Sequence, residues 1–251
     1  MQEPIQNIPI EARIIRLREG ILKKNDLLAR DLRAQFAAQG TFVVNIVSSP
    51  GSGKTEFLKE TLKRLAAKTE YRIAALVGDL ATDNDAKRLA ESGVPVRQIT
   101  TGTMCHLEAE MIQNALENWG IGKVDVLFIE NVGNLVCPSS YDLGENMRLV
   151  ALSVTEGEDK PLKYPTIFNS ADVAIVTKID IAQAVEFNRE TALHNLLELR
   201  PTMRIFEVSA KTGAGMEGWI DFLLSSIEAN KVHSLVGSIA RESVDADAAL
   251  V

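Results

Sequence analysis

Four things are scarce in this 251-residue chain, and each scarcity narrows what it can do. Cysteine occurs twice, as Cys105 and Cys137, which rules out a disulfide-stapled secreted scaffold. A single disulfide is also a poor use of two thiols in a reducing compartment, where metal binding, redox chemistry or plain core filling is commoner. Positive charge is short, with 27 Lys and Arg against 34 Asp and Glu and a net charge of −7. That balance argues against a large nucleic-acid footprint, because phosphate backbones need clustered Lys and Arg, and acids interrupt the basic stretch Arg13 to Lys24. No apolar run approaches the roughly 20 residues that span a bilayer, and Met1-Gln2-Glu3-Pro4 lacks the basic and apolar parts of a signal peptide. Internal repeats and low-complexity segments are absent too. A soluble cytoplasmic protein is expected, with neither nucleic acid nor membrane as partner.

What is present is a core-forming chain with 46% hydrophobic residues, enough for one large α/β domain with short appendages. Residues 1–40 read as a helical arm: Ile14, Leu17, Ile21, Leu28, Leu32 and Phe36 recur at three- and four-residue steps, with possible breaks at Gly20 and Asn25-Asp26. Such a stripe packs on its own domain or waits for a partner. Residues 41–230 alternate buried-strand runs with helical patterns. The runs are Thr41 to Val47, Arg72 to Val77, Val94 to Ile99, Val124 to Glu130, Val150 to Val154, Ala171 to Thr177 and Arg204 to Val208. This order predicts a doubly wound, mainly parallel sheet. Residues 231–251 turn polar and acidic and read as a loosely ordered tail.

The strongest motif is Ser48-Ser49-Pro50-Gly51-Ser52-Gly53-Lys54-Thr55, between a predicted strand and a helix over Glu56 to Ala67. It fits a phosphate-binding loop except that Ser48 replaces the usual first Gly. Gly51, Ser52 and Gly53 let backbone N–H groups curl around phosphates at the positive end of the helix. Lys54 reaches the outer phosphates and the Thr55 hydroxyl suits Mg²⁺. The Cβ of Ser48 is expected to distort the loop slightly. Asp79, just after the second strand run, and Glu130, ending another, face the ligand crevice of such a sheet and complete the Mg²⁺ set, although either fits a plain strand-end acid in solvent.

Two later segments bear on the base. Thr177-Lys178-Ile179-Asp180 resembles the Asn-Lys-x-Asp signature of GTP-binding proteins, and Ser209-Ala210-Lys211 resembles their second guanine-contacting loop. The Asp180 carboxylate can accept from guanine N1–H and its exocyclic amine, donors that adenine lacks in that arrangement. Thr177 in place of Asn is expected to remove a loop-stabilising hydrogen bond. A third set, Cys105, His106 and Cys137, lacks a C-x-x-C pair, so its spacing alone does not indicate a zinc finger. Two buried cysteines and an ordinary histidine fit it as well. Its placement, with Cys137 seven residues beyond Glu130, favours a site for Ni²⁺ or Zn²⁺ completed by water or a symmetry mate. His194 and His233 look structural or solvated.

Taken together, Gly51-Ser52-Gly53-Lys54-Thr55, Gly78-Asp79-Leu80-Ala81-Thr82-Asp83, Cys105-His106-Leu107, Glu130-Asn131-Val132-Gly133-Asn134-Leu135-Val136-Cys137-Pro138 and Thr177-Lys178-Ile179-Asp180 resemble the HypB family. These are GTPases that help insert nickel into [NiFe]-hydrogenase, and the likeness runs from about Thr41 to Ile227. It implies a P-loop GTPase of the GTP-dependent dimerising (SIMIBI) class with slow intrinsic turnover. Thr55, Asp79 and Glu130 match its Mg²⁺ positions, and Cys105, His106 and Cys137 its metal site near the dimer interface. Asp83 falls in the first switch segment, so Asp79 or Asp83 is expected to position the attacking water while Lys54 stabilises the γ-phosphate. The implied partners are a second copy of the chain, a HypA-type maturation protein and the hydrogenase large subunit. No Cys precedes Cys105 and no His precedes His106, so the N-terminal Cys-rich or His-rich nickel motifs of many relatives do not carry over. Two other functions stay open: a small-molecule P-loop kinase using ATP, and a GTP-gated adaptor whose cysteines are structural.

Overall fold

Continuous β-branched and aliphatic runs, buried on both faces, form the five inner strands of a seven-stranded sheet, and the two edge strands are more polar and only partly buried. The computed structural model describes residues 10–248. The strands are β1 (Phe42–Ser48), β2 (Ile73–Asp79), β3 (Val96–Thr100), β4 (Val126–Glu130), β5 (Met147–Ser153), β6 (Val173–Thr177) and β7 (Arg204–Glu207). They lie in the order β3-β2-β4-β1-β5-β6-β7, and every neighbouring pair is parallel. All seven expected runs are strands, and the expected mainly parallel sheet is parallel throughout. Connecting helices are α1 (Ile10–Gln39), α2 (Lys54–Lys68), α3 (Asn84–Ala90), α4 (Ala109–Glu117), α5 (Lys160–Lys163), α6 (Pro165–Ser170), α7 (Arg189–Leu199) and α8 (Met216–Ala248).

Period-two alternation sends neighbouring strand residues to opposite faces. On one face Val44, Ile46, Phe128 and Ile175 pack under Phe57, Leu58 and Leu62 of α2 and under Trp219, Ile220 and Leu223 of α8. The fully buried Trp219 satisfies its indole N–H on the Thr61 hydroxyl at 3.0 Å. On the other face Val43, Leu76 and Leu127 carry α1 and α4, while Val150, Leu152 and Val176 carry α6 and α7. Register aligns Ile46 and Val77 with Glu130, and Ser153 with Thr177. The carboxyl ends of β1, β2, β4 and β6 therefore share one edge.

Two expectations about the ends of the chain change. Helix α1 runs unbroken through Gly20 and Asn25-Asp26, because tertiary bonds override local preference: Asn25 is buried, and its amide bonds Asp142 and Ala109. Its inner stripe is Asn25, Ala29, Leu32 and Phe36, whereas Ile21 is exposed. The side chains of Ile14 and Leu17 lie outside the described residues. Helix α8 continues to Ala248, past the point near Asn230 where a loose tail was expected. The side chain of His233 is likewise outside the described residues. His194 is solvent-exposed beside Glu198, as anticipated. Among the described residues, no helix is long and apolar enough to cross a membrane.

Candidate functional site

Strand β1 ends at Ser48 and the chain turns through 49–53 before α2 begins at Lys54. Gly51 (φ 74°) and Gly53 (φ 87°) take left-handed backbone that only glycine adopts cheaply, which aims the following N–H groups into the turn. Ser48 needs no such backbone. It is a buried strand residue whose hydroxyl donates to the Ser49 carbonyl at 2.9 Å.

Glu130 is the buried centre of this edge. One of its oxygens, Oε1, accepts from the Thr55 hydroxyl at 2.6 Å and pairs with Lys54 Nζ at 3.1 Å. The other has no protein partner. Burial pushes its carboxyl above the ordinary glutamate range, with Asp85 adding to the rise and Lys54 and Thr55 opposing it. A buried carboxylate with one free oxygen beside a threonine hydroxyl suits a hard divalent cation. Asp79 caps β2: its two oxygens accept from Leu80 N at 2.6 Å and the Thr82 hydroxyl at 2.5 Å. Both the loop and Asp79 line an open cavity of about 420 Å³. Asp83 does not line it. It is exposed and bound to Lys87 at 2.8 Å, which holds its carboxyl below the usual range. The acid from this segment in the cavity is Asp85, with Arg88 on the same helix. Sequence reasoning missed both, because they follow the Gly-Asp-Leu stretch on a short helix with no motif spacing of their own.

A second cavity of about 270 Å³ adjoins the first and shares Gly53, Glu56 and Lys178 with it. It collects Thr177, Lys178, Asp180, Ser209, Ala210 and Lys211, all the residues expected to meet the base. Lys178 takes left-handed backbone (φ 61°), and its ammonium donates to the Gly51 carbonyl at 2.7 Å. The Thr177 hydroxyl donates to the Ser52 carbonyl at 2.6 Å. The tether expected to vanish with the missing Asn is thus present, made by a hydroxyl. Ser209 is held by a turn whose Gly215 (φ 72°) is obligatory: a Cβ there would fall 1.9 Å from the Glu207 carbonyl oxygen.

Cys105, His106 and Cys137 come together, with their donor atoms all within 4.8 Å of one another. The two sulfurs are 3.1 Å apart with no disulfide between them, the Cys105 thiol donating to Cys137 Sγ. The Cys105 thiol is pushed up by its contact with Cys137, by burial and by the neighbouring sulfur's charge. His106 is buried against the Tyr141 ring, centroid to centroid 4.0 Å, and neither ring nitrogen has a hydrogen-bond partner. Glu108 lies 3.4 Å from Nε2, close enough for attraction but outside hydrogen-bond geometry. Orphaned buried nitrogens are rare and costly, and a metal ion beside the two sulfurs would satisfy one of the two.

The nucleotide and thiol clusters touch through Asn131, next to Glu130. Its Oδ1 accepts from Leu107 N at 3.0 Å and from Val132 N at 2.9 Å, tying the Cys105-His106 segment to the end of β4. Leu107 in turn sits on Gly78, where a Cβ would meet it at 2.8 Å, and Gly133 packs on Pro50 of the loop, where a Cβ would meet Pro50 Cα at 3.0 Å.

Residues 42–207 match the family model described as the CobW/HypB/UreG nucleotide-binding domain. The hydrogenase maturation factor HypB of Rhizobium leguminosarum bv. viciae is 46% identical over 226 residues, covering 90% of this chain and 75% of that protein. The hydrogenase/urease maturation factor HypB of Helicobacter pylori (strain ATCC 700392 / 26695) is 42% identical over 234 residues, 91% of this chain and 95% of that protein. A crystal structure of HypB from Helicobacter pylori in complex with nickel superposes with a TM-score of 0.76 at 43% identity, covering 83% of this chain and 97% of that one.

Proposed function

Because the chain belongs to the HypB family of the CobW/HypB/UreG nucleotide-binding proteins, with the SIMIBI-class fold, we propose that it is a cytoplasmic GTPase that carries nickel for hydrogenase maturation. Residues 41–230 are the working domain, 1–40 an arm whose described helix α1 packs on it, and 231–251 an appendage. The Asn131 bridge carries this proposal, since it joins the strand that presents Glu130 to the loop that presents Cys105 and His106.

In the nucleotide half, the backbone of Gly51 to Gly53 cradles the phosphates, and Asp180 with the Ser209 to Lys211 turn selects guanine. Thr55 and Glu130, with Asp79 nearby, would hold Mg²⁺, which would supply charge neutralisation to the phosphates. Lys54 must leave Glu130 to reach the γ-phosphate, where its charge stabilises the transition state. Asp79 accepts the proton side of the attacking water. In the metal half, Cys105, His106 and Cys137 hold the cargo. Two thiolates and an imidazole suit Ni²⁺ or Zn²⁺, and the nickel-bound relative supports nickel as that cargo. A GTP-dependent homodimer, a HypA-type protein and the hydrogenase large subunit are the proposed partners.

The test is a Ni²⁺ titration of the protein loaded with a non-hydrolysable GTP analogue and with GDP. The two forms should differ in nickel affinity, and by linkage nickel should shift nucleotide affinity by the same factor. Identical affinities would remove the coupling. A Cys105→Ala, Cys137→Ala double variant that still bound one nickel per chain would remove the site assignment.

A further inference from the structure

Helix α1 reaches the thiol cluster through one buried amide. Asn25 is 4% exposed on the inner face of α1, four residues before Ala29 and seven before Leu32, where the stripe calls for an apolar side chain. Its Nδ2 donates to the Asp142 carbonyl at 2.8 Å and its Oδ1 accepts from Ala109 N at 2.9 Å. Those two backbone atoms belong to different segments. Ala109 follows His106 by three residues and opens α4, whose N-cap Glu108 makes no side-chain capping bond. Asn25 therefore supplies from another helix the acceptor that a cap would give. Asp142 follows Cys137 by five residues and adjoins Tyr141, the ring packed on His106.

The same helix holds the second segment twice more. Arg33, two turns along α1, binds the Asp142 carboxylate at 2.6 and 2.8 Å. Gly144 (φ 80°) lies so close to α1 that a Cβ would fall 2.9 Å from the Ala29 carbonyl oxygen. One rigid element thus grips both chain segments that bring the donors together. A leucine at position 25 would bury apolar surface without the desolvation cost of an amide. What the amide adds is a fixed span between two backbones.

Resting on Cys105, His106 and Cys137 being the cargo site, we propose that Asn25 is a positioning residue for it. It sets the separation of the Cys105-His106 segment from the Cys137 segment, and with it the affinity and geometry of the bound ion.

The experiment titrates the full-length, GDP-loaded protein with Co²⁺, whose sulfur charge-transfer and ligand-field bands report thiolate count and geometry. Asn25→Leu loses both bonds; Asn25→Asp keeps the acceptor for Ala109 N–H and loses the donor to Asp142. Partners beyond the first ligand shell change metal affinity by about 10- to 100-fold. A loss in that range is expected for Asn25→Leu and a smaller one for Asn25→Asp, with shifted ligand-field bands in both. Parental bands and affinities in both variants would overturn the proposal. If Asn25→Leu fails to bind GDP, and so to fold, Asn25→Asp alone decides by the same criterion. A parent protein without a sulfur-to-cobalt band would instead sink the cargo site, and this proposal with it.

Discussion

Around the phosphate loop most polar side chains are already bonded to the protein: Lys54 and Thr55 to Glu130, Thr177 to Ser52, Lys178 to Gly51. Around Cys105 the opposite holds, with two sulfurs pressed together and a buried imidazole whose nitrogens have no hydrogen-bond partner. A self-bonded site keeps its shape without ligand and must exchange contacts to accept one. An underbonded site carries an unpaid desolvation cost that a ligand removes. Shape at the first is intrinsic; at the second it depends on what grips the loops from behind.

Lys54→Ala attacks the comparison hardest. It removes the cation proposed to stabilise the γ-phosphate, and GTP turnover should fall about 10²- to 10³-fold, while Co²⁺ affinity of the GDP form stays at the parental value. A parallel loss of Co²⁺ binding would mean that the two sites are not separately held. Gly78→Ala strikes the contact between them, forcing a Cβ into Leu107. Overpacking of this kind costs about 1–3 kcal/mol, so Tm should drop and GDP and Co²⁺ affinities should weaken together; movement of one alone would place the junction elsewhere. Thr177→Val is the mildest. Losing one hydrogen bond costs about 1 kcal/mol, which weakens GDP binding roughly fivefold, and Thr177→Ser should restore it. No change on Thr177→Val would deny that the hydroxyl replaces the missing amide.

The sheet was readable because parallel strands buried on both faces are unbroken apolar runs, such as Val126-Leu127-Phe128-Ile129. The loop before Lys54 and the base-side turns were readable for a related reason: their chemistry is local and their spacing fixed. Contacts closed by tertiary structure were not. Asn25 looked like a helix break because its two partners are 84 and 117 residues away. Asp83 and Asp85 are interchangeable on paper, and only the orientation of α3, with Asp83 claimed by Lys87, separates them. Thr177 looked like a loss because a pattern records the residue and not the bond it makes. The meeting of Cys105 with Cys137 depended on family likeness, since they stand 32 positions apart with a helix and a strand between them.

The contacts that close the nucleotide pocket join residues 75, 125 and 127 positions apart. Closing such long loops carries entropy that non-local contacts return only late, and parallel sheets are correspondingly slow to form. No half-assembled chain, whether it ends before β4 or before β6, contains the pocket. Nucleotide therefore recognises only the finished sheet: added during refolding it leaves the early steps unchanged, and added to the native protein it slows unfolding. At the proposed site, guanine nucleotide is a seal on completed folding before it is a fuel.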